Sequence, residues 1–177
     1  VGNNRFDNFT VDATALGGID STPPSVAYLP TNSVNNASTT MNPTLTFNEN
    51  VRLTDDSVIT SANAQTLVDF KLNSAAGATV PFTTTFANNQ ITVIPTGGLL
   101  PNQTYYLALK PNVIEDFSNN AQTSVTSSVF STAATSISFD KAFMKVNENA
   151  GTAALKINIT NPAAATVNLV VKPASFN

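Results

Sequence analysis

The chain has 177 residues, of which 42% are hydrophobic and only 11% charged, with a net charge of −3 and no Cys, His or Trp. This composition excludes disulfides, Cys or His nucleophiles, His general bases and Cys/His zinc sites, and the acidic balance argues against a nucleic-acid footprint. There is enough apolar material for a core, and solubility rests on Thr, Asn and Ser, which fill roughly a third of the chain.

In chain order, the first segment, "VGNNRFDNFTVDATAL", holds one strand-like run from Phe6 to Val11. The next, "GGIDSTPP" from Gly17 to Pro24, joins flexible glycines to a stiff Pro-Pro step and reads as a linker leading into a domain. Beyond it, short runs of β-branched and aromatic residues alternate between Asn, Gly and Pro clusters, and no amphipathic stretch of a dozen residues suggests a helix. "NPTLTFNENV" puts Leu45 and Phe47 on one face, and "LVDFKLN" does the same with Val68, Phe70 and Leu72. "TVPFTTTF" offers Val80, Phe82 and Phe86, and "QITVIP" offers Ile91 and Val93. "QTYYLALK" offers Tyr105, Leu107 and Leu109, and "SVTSSVF" offers Val125 followed, after a bulge, by Val129 or Phe130. Turn signals separate these runs at Gly77, Asn88–Asn89, Gly97–Gly98 and Asn119–Asn120. Strands recurring at short intervals, each with one buried face, predict an all-β antiparallel sandwich.

"STAATS", Ser131 to Ser136, is small and polar and reads as a second linker. The chain thus divides into residues 1–18, a central unit over 19–133, and residues 134–177. The central unit has about 110 residues, an ordinary size for an immunoglobulin-like sandwich. The last segment starts a new alternating pattern, but its roughly 40 residues are few for a domain without staples. The flanks are therefore expected to be the end of one domain and the start of another, in a slice of a longer protein. No apolar run reaches the about 18 residues of a membrane-spanning helix, and the first residues lack the layout of a signal peptide.

The central segment resembles the bacterial Ig-like domains of secreted and surface-layer proteins. The residues that carry the resemblance are "DSTPPSV", "PTLTFNENV", "VPFTTTFANNQITVIPTGGLLPNQTYYLAL", "VIEDFSNNA" and the closing "SSVFSTA". Where the family's D-x-x-G-N turn has glycine, this chain has Asn119, which also tolerates the left-handed conformation. The resemblance implies an Ig-like antiparallel β-sandwich, here flanked by partial β-domains. "FMKVNENAGTAALKINIT" looks like the first half of a Calx-β domain, and "NRFDNFTV" is similar to the last strand of jelly-roll lectin or carbohydrate-binding domains. In calcium-binding Calx-β members the Glu before the G-T pair is a metal ligand, which by resemblance is Glu148 here. One carboxylate does not make a calcium site, because calcium takes six to eight oxygens.

Two adjacent acidic pairs, Asp55-Asp56 and Glu115-Asp116, are the only candidates for paired-carboxylate chemistry. Neighbours in a strand point to opposite faces and neighbours in a loop are solvated, so neither pair suits glycoside hydrolysis, and no catalytic residue is assigned. Calcium is the sharper idea. Asp20 lies in the linker, and Glu115 and Asp116 lie in a turn at one end of the sandwich. If Asp20 and Asp116 share that end, a calcium ion would stiffen the domain junction. Alternatively, Asp116 makes an Asx-turn and Asp20 is solvated. Glu49 in "FNENV" reads as a structural strand carboxylate. Tyr28, Tyr105 and Tyr106 could form a sugar-stacking platform, but alternation favours Tyr105 in the core. Asn8, Asn36, Asn102 and Asn158 begin N-x-[ST] sequons, which arise by chance in a Thr/Asn-rich chain. "DST" and "DSV" resemble the O-glycosylation motif of secreted Bacteroidetes proteins, which would place sugar on Ser21 and Ser57.

The expected function is a non-catalytic spacer or adhesion segment of a large secreted or cell-surface bacterial protein. Its partners would be neighbouring domains of the same polypeptide, with glycans or other surface proteins beyond them. The alternatives are an accessory module of a secreted carbohydrate-active enzyme or lectin, and a strand-exchanging subunit of a surface polymer.

Overall fold

The computed structural model describes residues 20–141, 145, 149, 154 and 156–161. The strand expected at Phe6–Val11, the sequon at Asn8 and the candidate ligand Glu148 lie outside the described residues. The elements are β1 (Val26–Leu29), β2 (Thr44–Phe47), β3 (Arg52–Leu53), α1 (Ser61–Leu67), β4 (Val68–Leu72), β5 (Phe82–Ala87), β6 (Gln90–Pro95), β7 (Thr104–Leu109), β8 (Ile114–Glu115), β9 (Thr126–Ser131), β10 (Ser136–Phe139) and β11 (Ile157–Thr160).

Two antiparallel sheets form the sandwich, one in the order β1-β2-β6-β5 and the other β4-β7-β9. Alternation decides which residues face inward. Leu45 and Phe47 of β2, Phe70 of β4, Ile91 and Val93 of β6, and Tyr105, Leu107 and Leu109 of β7 all belong to one buried cluster. At its centre Phe70, Tyr105 and Phe130 stack with ring centroids 5.3 and 5.6 Å apart, and Phe82 meets Phe70 edge-on at 5.9 Å. Phe82 belongs to the first sheet and Phe70 to the second, so the aromatic group joins the two layers.

Three local features depart from the expected elements. A helix, α1, stands where none was expected. It is only seven residues long, so Ala64 and Leu67 are its sole buried positions and no repeating stripe is visible in the sequence. Thr60 caps it through a reciprocal pair with Asn63. The inward side of β9 is set by Ser128 and Phe130, without a bulge, whereas Val125 precedes the strand and is 60% exposed. The buried Ser128 hydroxyl donates to the Pro30 carbonyl at 2.8 Å, and a polar inward residue hides the register from an apolar alternation. Val80 belongs to neither β4 nor β5. Its N–H donates to the Phe70 carbonyl at 3.0 Å, which lays residues 78–80 along the free side of β4.

The other edges are covered too. Along β5, Ser61 Oγ accepts from Phe86 N at 3.0 Å and Gln65 Nε2 donates to Phe82 O at 2.8 Å, so α1 supplies the missing partners. Along β9, Ser33 N donates to Val129 O at 2.7 Å and Ser131 N donates to Val34 O at 2.7 Å. Of the sandwich's edge strands, only β1 lacks an outer neighbour among the described residues, and it is short and flanked by Pro24 and Pro30, a common way to blunt an edge.

The strand directions separate two poles. β1 begins beside Asp20 and the β2–β3 loop, and Asn120 Nδ2 from the loop after β8 donates to the Asp20 carbonyl at 2.9 Å. β9 ends at the other pole, where Asn102 N donates to the Ala133 carbonyl at 3.1 Å. The chain therefore enters at one end and leaves at the opposite end. Past the exit, β10 and β11 pair as a separate hairpin, with Ile137 opposite Ile159 and Phe139 opposite Ile157 on one face. Ser136, Ser138, Asn158 and Thr160 form the other face.

Candidate functional site at the N-terminal pole

The N-terminal pole gathers three loops. Asn89 O, in the β5–β6 turn, accepts from Phe47 N at 2.9 Å, and Asn89 Nδ2 donates to Asn50 Oδ1 at 2.8 Å. Asn88 and Asn89 both have positive φ, 51° and 56°, as the tight hairpin requires. Asn119 has φ 66°, so the turn after β8 forms with Asn in the place of the usual glycine.

Arg52 ties this pole together. Its Nε donates to Glu115 Oε1 at 3.0 Å and its Nη2 to Asn119 Oδ1 at 2.6 Å. Nη2 also reaches the Asp56 carboxylate at 2.6 Å, and the guanidinium lies 5.4 Å from the centroid of Phe117. The Glu115 pair is the consequential one, because its side chains are only 16% and 9% exposed, while the Asp56 carboxylate is open to solvent.

Asp116 is buried and holds the turn that follows it. Its Oδ1 accepts from Ser118 N and Asn120 N, both at 2.8 Å, and its Oδ2 accepts from Asn120 Nδ2 at 2.7 Å. Burial works to raise the Asp116 carboxyl, but the Asn120 amides, the Ser118 amide and the Arg52 charge outweigh it and hold the group below its ordinary value.

Asp20 and Asp116 do share an end, and Glu49 joins them: one carboxylate oxygen from each lies within 4.8 Å of the others. Glu49 therefore belongs to an acidic trio, a role its sequence context in a strand-to-loop step did not reveal. The only hint was its position just past β2 in an Asn-rich loop. The Asx-turn expected as the alternative is also present, since Asp116 Oδ1 accepts from Ser118 N. The trio supplies six carboxylate oxygens at most, and Asp116 already accepts three N–H bonds, so waters or backbone carbonyls would have to complete a calcium shell.

The remaining candidate residues fall elsewhere. Tyr105 is 1% exposed, and its hydroxyl accepts from Leu100 N at 2.7 Å. The Tyr28 hydroxyl donates to Thr126 O at 2.6 Å and accepts from Leu109 N at 3.0 Å, so it pins β1 to the second sheet. Burial raises both phenols above their ordinary value. Tyr28 and Tyr105 are thus structural, while Tyr106, next to Tyr105 on β7, is half-buried. Ser21 and Ser57 are exposed, as are Asn36, Asn102 and Asn158. Ser57 is held by Asp55 Oδ1, which accepts from its backbone N at 3.0 Å and from its hydroxyl. Of the adjacent acidic pairs, Glu115 is bound to Arg52 and Asp116 to its own turn, and they do not face a common cleft.

Two sheets packed face to face, an aromatic core and loops collected at two poles define an Ig-like β-sandwich. The bacterial Ig-like domain family model matches residues 20–132, which is the span from the N-terminal pole to the end of β9, and the chain belongs to that family. Domains of this family are typical of bacterial surface and extracellular multi-domain proteins and are in general non-catalytic. No helix among the described residues is long and apolar enough to cross a membrane. A search of curated proteins finds no match to the chain.

Proposed function

We propose that the chain is a spacer segment of a large secreted or cell-surface bacterial protein, built from modules strung end to end. The observation that carries this reading is the placement of the two ends of the sandwich at opposite poles. A module threaded in this way adds its full length to a stalk. The covered strand edges suit a module that must lie near many copies of itself without pairing to them. The hairpin of β10 and β11 supports a second module beginning at residue 134, because a two-stranded hairpin with one apolar face needs further strands to be stable. The Calx-β-like pattern of residues 134–177 fits that role. X-ray scattering on the longer native protein tests the reading: an elongated profile is expected, and a compact one would refute it.

A second element of the proposal concerns the acidic trio. Three carboxylates drawn from the linker, the β2–β3 loop and the β8 turn repel one another, and a calcium ion would relieve that repulsion while clamping the linker to the sandwich. Melting with calcium and with chelator tests it. Calcium should raise the melting temperature of the wild type and leave a Glu49→Gln/Asp116→Asn variant unchanged. Equal curves for the wild type with and without calcium would remove the ion from the proposal and leave the spacer standing.

A further inference from the structure

Ser131 ends β9 and Ser136 opens β10, so residues 132–135 are the whole step from the sandwich to the hairpin. A run of Thr and Ala between two serines has the composition of a loose linker. Yet each residue of the step is bonded to one outside it. Thr132 is buried, its N–H donates to the Gln103 carbonyl at 3.0 Å, and its hydroxyl accepts from Gln103 N at 3.0 Å and donates to the Leu100 carbonyl at 2.5 Å. Ala133 N donates to the Ala37 carbonyl at 2.9 Å, and Ala133 O accepts from Asn102 N at 3.1 Å. The first half of the step therefore belongs to the sandwich, held between the loop before β2 and the loop before β7.

The second half is held from the hairpin side by Asn161, the residue after β11. Its Nδ2 donates to the Ala134 carbonyl at 3.3 Å, and its backbone carbonyl accepts from the Thr135 hydroxyl at 2.6 Å. Its Oδ1 accepts from the Thr39 hydroxyl at 3.4 Å. Thr39 belongs to the sandwich, where its own carbonyl accepts from Leu99 N at 3.4 Å. Asn161 thus grips the step and the sandwich at once. The backbone there is left-handed, with φ 47°, a conformation that Asn tolerates better than most side chains do.

Bonds of 3.3 and 3.4 Å are individually weak, and their effect comes from acting together. A swing of the hairpin about the step would break all three Asn161 bonds. It would return backbone freedom to Ala134 and Thr135 alone, since Thr132 and Ala133 are fixed in the sandwich, so the entropy that opposes the clasp is small.

We propose that the sandwich and the β10–β11 hairpin move as one rigid body, with Asn161 as the clasp that sets the angle between them. The use of such a joint rests on the spacer reading: modules that meet at fixed angles carry a direction along a stalk, where loose linkers would let it coil. The joint itself is local. It can fail while the spacer reading stands, and a compact native protein would refute the spacer without touching the joint.

The test is nuclear magnetic resonance on the full chain. Residual dipolar couplings of the amides in β4, β7, β9, β10 and β11 should fit one alignment tensor. Order parameters over residues 132–136 should reach about 0.85, the value of rigid backbone. Asn161→Gly keeps the left-handed turn and removes both side-chain bonds. In that variant the order parameters over residues 134–136 should fall below about 0.6, and the hairpin couplings should shrink relative to those of the sandwich. Thr39→Val changes only the sandwich side of the clasp and should shrink the hairpin couplings in the same sense, by less. Cross-strand contacts of Ser136 with Thr160 and of Phe139 with Ile157 check that the hairpin stays paired, and if Asn161→Gly loses them, Thr39→Val decides. Asn158→Ala, on the polar face of the hairpin, should change neither readout. Separate tensors for sandwich and hairpin in the wild type would overturn the rigid joint. Couplings unchanged in both clasp variants would overturn the part given to Asn161.

Discussion

Arg52→Met removes the cation that pairs with Glu115 while keeping much of the stem that packs beneath it. The Glu115 side chain, 9% exposed, is then left as a carboxylate with its main partner gone. Breaking a buried pair from one side costs about 3–5 kcal/mol, because the remaining charge keeps its desolvation penalty without the attraction that offset it. The solvent-facing link to Asp56 adds less than about 1 kcal/mol. For a sandwich of this size the sum corresponds to a drop in melting temperature of roughly 10 °C or more. Arg52→Met/Glu115→Gln should be about 2 kcal/mol more stable than Arg52→Met alone, since the buried charge is gone in the double variant. The assay is thermal unfolding of the wild type, both single variants and the double variant. A loss below about 1 kcal/mol for Arg52→Met, or no recovery in the double variant, would refute the view that this pair holds the pole together.

The remaining predictions concern the same frame. The Asp116 carboxyl sits below its ordinary value of 3.8 when folded, so its contribution is complete above that value and disappears as pH falls through the lower folded one. Protection of the Ser118 and Asn120 amides, taken relative to their intrinsic exchange rates, should fall as pH drops through the lowered Asp116 range in the wild type, and in Asp116→Ala it should already be low at neutral pH. Tyr28→Phe leaves the Leu109 N–H without its acceptor and should cost about 1–3 kcal/mol, with loss of exchange protection at Leu109 as the specific sign. Phe130→Ala empties one end of the aromatic stack and should cost about 3–5 kcal/mol by chemical denaturation, against well under 1 kcal/mol for Val125→Ala.

Much of the frame could be read from particular residues. Leu45, Phe70, Ile91, Tyr105 and Leu107 declared themselves by alternation, because a two-residue period is a local property of an extended chain. Asn119 declared a left-handed turn, because few side chains tolerate that backbone. β9 was misread because its inward Ser128 is satisfied by a carbonyl 98 residues away in sequence, and no local pattern reports such a partner. The helix was missed because two turns with two buried residues leave too short a trace to distinguish from a loop.

The N-terminal pole shows the same division more sharply. Sequence named Asp20 and Asp116 as groups worth bringing together, since linker and turn acids gather where loops gather. Glu49 and the Arg52–Glu115 pair emerged only with the fold. Composition and periodicity act along the chain and set which residues want burial or turns. The juxtaposition of residues 20, 49 and 116 depends on how strands register and sheets pack, which is decided by contacts distant in sequence.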